Sequence, residues 1–261
     1  MTVIDTGTFT HDWELWHAEH EAKRADQHGF LAITALHWLT EEPQRFDDAP
    51  GAWRTGTDGV TVDLDPAEEL YVDGARLSGP HHFGPIPERG GIFARSGDAV
   101  IEVARRGGND IVRPRHPENP TRTAYHGTPT FAPDPRWALT GVYLPYDESS
   151  DITVGSVVEG LQHVYSSPGE IVFGDGYRLA AFNGATPGSL HVLFTDATAG
   201  ITTYPACRSL SVAEPAADGR VTLDFNRAVN LPCAYTEFAT CPLPPAGNRL
   251  SMAVEAGEKM P

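Results

Sequence analysis

From about Gly51 onward the chain never runs far without a breaker. Short stretches of β-branched, aromatic and aliphatic residues alternate with Gly, Pro, Asp and Asn about every 8 to 12 residues. With 26 Gly and 22 Pro in 261 residues, turns are frequent enough to join neighbouring strands directly. Parallel strands would need crossover helices of a dozen or more residues between them, and the spacing leaves no room for these. No long helical pattern follows the N-terminal region, which excludes a doubly wound nucleotide-binding architecture. The predicted fold class is therefore mainly β: an antiparallel sandwich or barrel-like meander carrying an N-terminal helical segment.

Candidate strands are Val60–Leu64, Leu70–Val72, Ala75–Leu77, Ala99–Arg105, Ile111–Arg113, Trp137–Leu144, Ile152–Val158, Glu170–Phe173, Tyr177–Phe182, Ser189–Thr195, Ile201–Tyr204, Arg208–Val212, Val221–Phe225 and Met252–Glu255. Asp73-Gly74 and Asp175-Gly176 read as two uses of one hairpin turn, because Asp-Gly tolerates the positive φ angles a tight turn needs. The helical segment is placed within residues 11–42. Between Asp12 and Leu39 there is one Gly and no Pro, and Trp13, Trp16, His17, His20 and Arg24 recur at helical spacing on one stripe. Thr10 or Asp12 is expected to cap its start, Gly29 to end its first piece, and Phe30 to Leu39 to form a second. The proline-rich stretch Pro114 to Pro135 is a long irregular connection, where any division into subdomains would fall. The expected organisation is a single domain, residues 1–261, with its β-rich body over about 51–259.

Composition narrows the partners. Nineteen Lys and Arg against 35 Asp and Glu leave a formal charge of −16, which repels phosphate backbones and anionic lipid surfaces. Neither nucleic acid nor membrane is expected, and no apolar run reaches the length of a membrane span. The first twelve residues lack the basic and apolar regions of a signal peptide. Three cysteines make an odd set, poorly suited to a disulfide framework. A cytoplasmic location is the default expectation; oligomeric state is not legible.

Motifs that announce a cofactor are missing, including a phosphate-binding loop, Gly-x-Gly-x-x-Gly, Gly-x-Ser-x-Gly and His-Glu-x-x-His, so no cofactor is assigned. His17, His20 and Glu21 could meet a metal on one helical face, but two tryptophans on that stripe favour packing, and no metal is expected. Arg105, Arg106, Arg113, Arg115 and Arg122 form the basic cluster of an acidic chain: ion pairs first, a clamp for an anionic ligand second. His81 and His82 sit on an expected loop. Cys207, Cys233 and Cys241 read as small buried thiols or as one opportunistic disulfide, since the spacing of Cys233 and Cys241 is not that of a zinc ribbon.

The densest polar chemistry lies near the end. Asp224 and Asn226 share a strand face and Arg227 follows; Asn248 and Arg249 come after the stiff Pro242-Leu243-Pro244-Pro245 segment, and Glu255, Glu258 and Lys259 come last. These residues either knit loops together or line a pocket, and the two Asn/Arg pairs are expected to converge. The ligand-binding set expected from the sequence is Tyr204, Arg208, Asp224, Asn226, Arg227, Asn248 and Arg249, with no residue assigned a catalytic role.

This region also carries a resemblance. Phe194, Asp196, Thr198 and Gly200; Thr203, Tyr204, Arg208 and Leu210; Leu223 to Ala228 with Asn230, Pro232, Cys233 and Ala234; Cys241 to Pro245; Asn248 to Leu250; and Glu255 to Lys259 resemble the motifs of the prokaryotic family catalogued as domain of unknown function 1684. Gly29-Phe30-Leu31, Trp38-Leu39, Arg105-Arg106-Gly107 and Ser167-Pro168-Gly169-Glu170 echo it upstream. Cys207, Val229, Leu231 and Gly247 depart from the pattern, which has Gly, Tyr, Pro and Glu there. The family name implies no activity.

Three functions are compatible with these residues. The first is a protein binding a small polar or anionic molecule in a pocket near the C-terminal Asn/Arg loops. The second is a hydrolase or isomerase using a carboxylate such as Asp224 as general base, with Tyr204 or Arg208 polarising the substrate. The third is a structural or assembly protein with no ligand.

Overall fold

A computed structural model of the chain describes residues 6–261. It is mainly β, with 44% strand and 14% helix, well below the roughly one-third helix of an average globular protein. All strand pairs of its three sheets are antiparallel, and none closes into a barrel. The long helix, α1, spans Thr6–Arg24, so neither Thr10 nor Asp12 caps it and it stops short of Gly29. Lys23 and Arg24 in its last turn complement the negative end of the helix. Phe30 to Leu39 is not the expected second helix: Phe30–Ala32 is one 3-10 turn and the chain is extended from Ile33.

The chain divides into two compact units, residues 1–22, 126–234 and 241–261 in one and 23–125 with 235–240 in the other. The second holds ten strands: β1 His37–Trp38, β2 Gln44–Phe46, β3 Ala49–Gly56, β4 Gly59–Leu64, β5 Tyr71–Val72, β6 Ala75–Arg76, β7 Gly79–Gly84, β8 Gly91–Ser96, β9 Ala99–Arg106 and β10 Asn109–Arg115. They form a six-stranded sheet, β1-β10-β9-β8-β5-β6, and a four-stranded sheet, β2-β3-β4-β7. Trp53, Val60 and Val62 of the smaller sheet share one apolar core with Ala94, Ile101, Val103 and Val112 of the larger, so this unit is a β-sandwich. The β5–β6 turn uses Asp73 and Gly74 at φ 49° and 81°, as the Asp-Gly reading requires.

The first unit contains β11 Ala138–Gly155, β12 Gln162–Phe173, β13 Tyr177–Asn183, β14 Leu190–Phe194, β15 Arg208–Val212, β16 Arg220–Asp224 and β17 Val229–Asn230, in the order β16-β11-β12-β13-β14-β15-β17. Two of the expected strands fuse in β11, which crosses a register shift between Pro145 and Ser150. The turn after β12 is not a repeat of the Asp73 device, because here Gly174 and Gly176, and not Asp175, take positive φ. β15 packs against β16 although they lie near opposite ends of the order, so the sheet curls over a core containing Phe173, Val192, Phe194, Leu210, Leu223 and Phe225. Each such side chain contributes about 1.5–3 kcal/mol when fully buried. Leu250, Val254 and Ala256 of the C-terminal segment join the same core.

That segment is held by backbone hydrogen bonds to loops: Leu250 N to Thr195 O at 2.8 Å, Ala197 N to Met252 O at 3.1 Å and Glu258 N to Ala228 O at 2.9 Å. Met252–Glu255 and Ile201–Tyr204, both expected as strands, are loop.

Candidate functional site

Arg208, at the start of β15, is one of the largest fully buried side chains. Its Nη2 donates to Asp196 Oδ1 at 3.0 Å and to Val254 O at 3.1 Å, and its Nη1 to Ala256 O at 2.5 Å and Glu258 O at 3.4 Å. Asp196 Oδ2 meanwhile accepts from Thr198 N, Thr198 Oγ1 and Val254 N. Burial pushes the Arg208 pKa down and Asp196 opposes that shift. The pair thus ties three carbonyls of the C-terminal segment to the sheet and leaves this carboxylate no free face. Asn248 does similar work on another loop, donating to Ala180 O and Leu193 O and accepting from Ala180 N. Arg249 beside it is exposed.

Asp224, Asn226 and Arg227 meet at a 3-10 turn, Phe225–Arg227, that Asp224 caps by accepting from Asn226 N. Asn226 is 2% exposed; its Nδ2 donates to Asp134 O and Asp224 Oδ1, its Oδ1 accepts from Asp134 N, and its own carbonyl accepts from Trp13 Nε1 at 2.8 Å. These bonds fix the turn against α1. The two Asn/Arg pairs, expected to converge, share no hydrogen bond among the described residues. Each secures its own loop.

Arg227 differs from the other members of the set. Its side chain is 39% exposed, its guanidinium lies 5.3 Å from the Trp16 ring, and Nε is 3.2 Å from Asp224 Oδ2 but off the hydrogen-bonding direction. Among the described residues it makes no hydrogen bond at all. His20 stacks on the same Trp16 ring at 5.3 Å and 16°, and its Nε2 is 3.5 Å from Glu258 Oε1. Glu258 is 2% exposed, and its other oxygen accepts from Asn230 N at 2.6 Å. A buried carboxylate therefore orients a partly exposed imidazole next to the indole that Arg227 covers. Gly257 makes this possible: its φ is +73°, and a Cβ there would lie 2.5 Å from Ala228 O and 2.8 Å from Phe225 O. Only glycine lets the chain pass close enough to the turn to deliver Glu258.

The remaining residues of the α1 stripe are engaged in packing or bonding. Trp13 is buried, His17 stacks on Trp13 at 4.7 Å, and Glu21 Oε2 accepts from Thr128 N. Among the described residues no group of three His, Cys, Asp or Glu is placed to hold a metal.

Tyr204 is apart from Arg227, at the cysteines. Its hydroxyl donates to Cys233 O at 2.7 Å, and burial, followed by Cys233, pushes its pKa up to about 12. Cys233 N donates to Cys241 Sγ at 3.3 Å.

In the other unit, the basic cluster is spent on carboxylates. Glu102, 2% exposed, receives Arg106, Arg113 and Arg115, and Arg105 pairs with Asp110. Burial raises the Glu102 pKa, but Arg113, by hydrogen bond and charge, and then Arg115 outweigh it and bring the value to about 2. Arg122 donates to Ala25 O and Pro117 O. His81 and His82 lie on β7, not on a loop. A cleft of about 530 Å³ in this unit is lined by Thr34, Asp48, Glu68 and Arg115 among others. Three of its polar side chains are bonded to neighbours: Asp48 to His37 and Thr34, Glu68 to Arg45 and the Gly51 and Asp65 amides, and Arg115 to Glu102 and His28 O.

Sequence reasoning missed the His20–Glu258 contact, the Asp196 partner of Arg208 and the Cys233–Cys241 approach. Each joins residues far apart in the chain or across a loop, and the available signal was the motif in which each stands.

Comparison with known proteins bears on the same region. The model of the family described as Protein of unknown function (DUF1684) matches residues 123–259, just over half of the 261 residues. An uncharacterised protein of Haloarcula marismortui, solved by solution NMR, is 30% identical; the match covers 53% of this chain and 78% of that one, with a TM-score of 0.44. No curated protein matches the chain.

Proposed function

For this chain, which belongs to the family of proteins of unknown function DUF1684, we propose binding of a small polar, anionic molecule on the shelf formed by Trp16, His20 and Arg227. The observation that carries this reading is the state of Arg227. Its guanidinium is held in place by Trp16 and Asp224 yet donates no hydrogen bond among the described residues, whereas Arg208 is consumed by its surroundings. A guanidinium fork held over an aromatic ring matches a carboxylate or phosphate at two points. His20, steadied by Glu258, supplies a second polar edge against the same ring.

Asp224 serves here as the turn's cap and the neighbour of Arg227, with Oδ1 taken by Asn226, which gives it a positioning role in place of a general base. Asn226 holds the turn that carries Arg227, Arg208 ties down the segment that carries Glu258, and Asn248 secures a separate loop. A thermal-shift series with citrate, acetate and inorganic phosphate tests the proposal, because a ligand that binds only the folded state raises the melting temperature with concentration. The expected result is a saturable rise with at least one of these anions that is lost in Arg227→Ala and retained in Arg249→Ala. Equal shifts in both variants, or no shift with any anion, contradict it.

A further inference from the structure

The three cysteines are all free thiols, and two of them are brought together by separate loops. Cys233 lies in the 3-10 turn Pro232–Ala234 and is partly exposed. Cys241 is buried, and its backbone is fixed at the end of β11: Ser156 Oγ and Val157 N both donate to its carbonyl at 3.0 Å. Across the loop, Cys233 N points at Cys241 Sγ, 3.3 Å away. Tyr204 Oη, 2.7 Å from Cys233 O, secures the turn that carries Cys233.

We propose that Cys233 and Cys241 form a reversible dithiol/disulfide centre, with Cys233 the attacking thiol and Cys241 the resolving one, oxidised by small-molecule disulfides. Cys241 Sγ lies 3.3 Å from the Cys233 backbone nitrogen, and each cysteine sits on an anchored backbone, which brings the two side chains within reach of a bridge. Access sets the order of events, since Cys233 is the more exposed of the two. The local electrostatics agree with that order. Hydrogen bonds from the Cys241 thiol and from Tyr204 lower the Cys233 pKa against the opposing effect of burial, while Cys233 and burial push Cys241 up. Cys207 is fully buried, and its pKa is raised by burial, so it stays a spectator.

The exchange balances. The Cys233 thiolate attacks one sulfur of the external disulfide; the S–S bond breaks and one thiolate leaves with the electron pair and takes up a proton. Cys241 then loses its proton to solvent, attacks the Cys233 sulfur of the mixed disulfide and expels the second thiolate. Two protein thiols are oxidised, and one external disulfide is reduced to two thiols.

The test uses the full chain incubated with oxidised glutathione, followed by denaturation, alkylation and intact-mass and peptide analysis. Wild type and Cys207→Ser are expected to lose two alkylatable thiols, with the bridge mapped to Cys233 and Cys241 and reversed by dithiothreitol. Cys241→Ser should trap one glutathione on Cys233, and Cys233→Ser should trap much less on Cys241. Wild type that keeps all three thiols alkylatable at equilibrium, or a bridge that includes Cys207, overturns the proposal. So does preferential trapping on Cys241.

Discussion

Arg208, on β15, and Arg227, in the turn after β16, lie in the same compact unit, and they have opposite fates. Arg208 sits under the C-terminal segment, bonded to Asp196 and to the carbonyls of Val254 and Ala256. Arg227 lies half-exposed on Trp16 with its guanidinium beside Asp224 and no hydrogen bond among the described residues. The same side chain is a structural tie in one place and, in the proposed function, the anion-binding group in the other. Residue type does not separate the two. What separates them is whether backbone carbonyls surround the guanidinium, because a buried fork must satisfy its donors internally, whereas an exposed one keeps them for solvent or ligand.

Four substitutions can break or sharpen this contrast. The largest effect belongs to Arg208. Replacing it with Met leaves Asp196 buried without its cation, and unfolding in urea should show a loss of about 3–5 kcal/mol. A loss under about 1 kcal/mol would place Arg208 in the same class as Arg227. The next test comes from the other unit, where one carboxylate holds three arginines. Glu102 has its folded pKa lowered from 4.5 to about 2. The stability it contributes is therefore present above the unfolded value and drains away as pH falls through 4.5 toward 2. At ~1.4 kcal/mol per pH unit that is about 3 kcal/mol, and Glu102→Gln should flatten this limb of the stability–pH curve. An unchanged acid limb would show that these arginines do not act through Glu102.

Asn248→Ala comes third. It strands an amide and two carbonyls at Ala180 and Leu193, and should cost about 1–3 kcal/mol by chemical denaturation without altering anion response. Smallest is Arg227→Ala, whose ion pair is too exposed to add more than about 1 kcal/mol. A larger loss in differential scanning calorimetry would make Arg227 a second structural tie and remove the contrast.

The legible part of the fold was local. The β9–β10 hairpin announces itself because alternation and a Gly-bearing turn lie within a few residues of each other, whereas β3 was not among the expected strands. Phe30 to Leu39 misled because its apolar residues suit either a helix or an extended run, and pairing of His37 and Trp38 with Val112 and Ile111 on β10 decides the matter. Ile201–Tyr204 and Met252–Glu255 have strand composition, but the first is wound into turn contacts on Thr198 and the second is bound to Asp196, 58 residues away in the chain, which no window of sequence contains. The site follows the same division. Asp224, Asn226 and Arg227 were readable as neighbours because they lie within four residues, but Asp224 and Asn226 were expected on a strand face, and instead Asp224 caps a 3-10 turn that holds Asn226 and Arg227. His20 and Glu258 stand at opposite ends of the chain, and their meeting depends on Gly257 passing close to Ala228.

The claim that Arg227 is the open arginine has a direct optical readout in the indole it covers. Titrating citrate and inorganic phosphate into the protein while following tryptophan fluorescence should give a saturable change that disappears in Trp16→Phe and in Arg227→Ala, and persists in Arg249→Ala. A saturable change of undiminished size in Arg227→Ala, or no change in the wild type, would contradict the account.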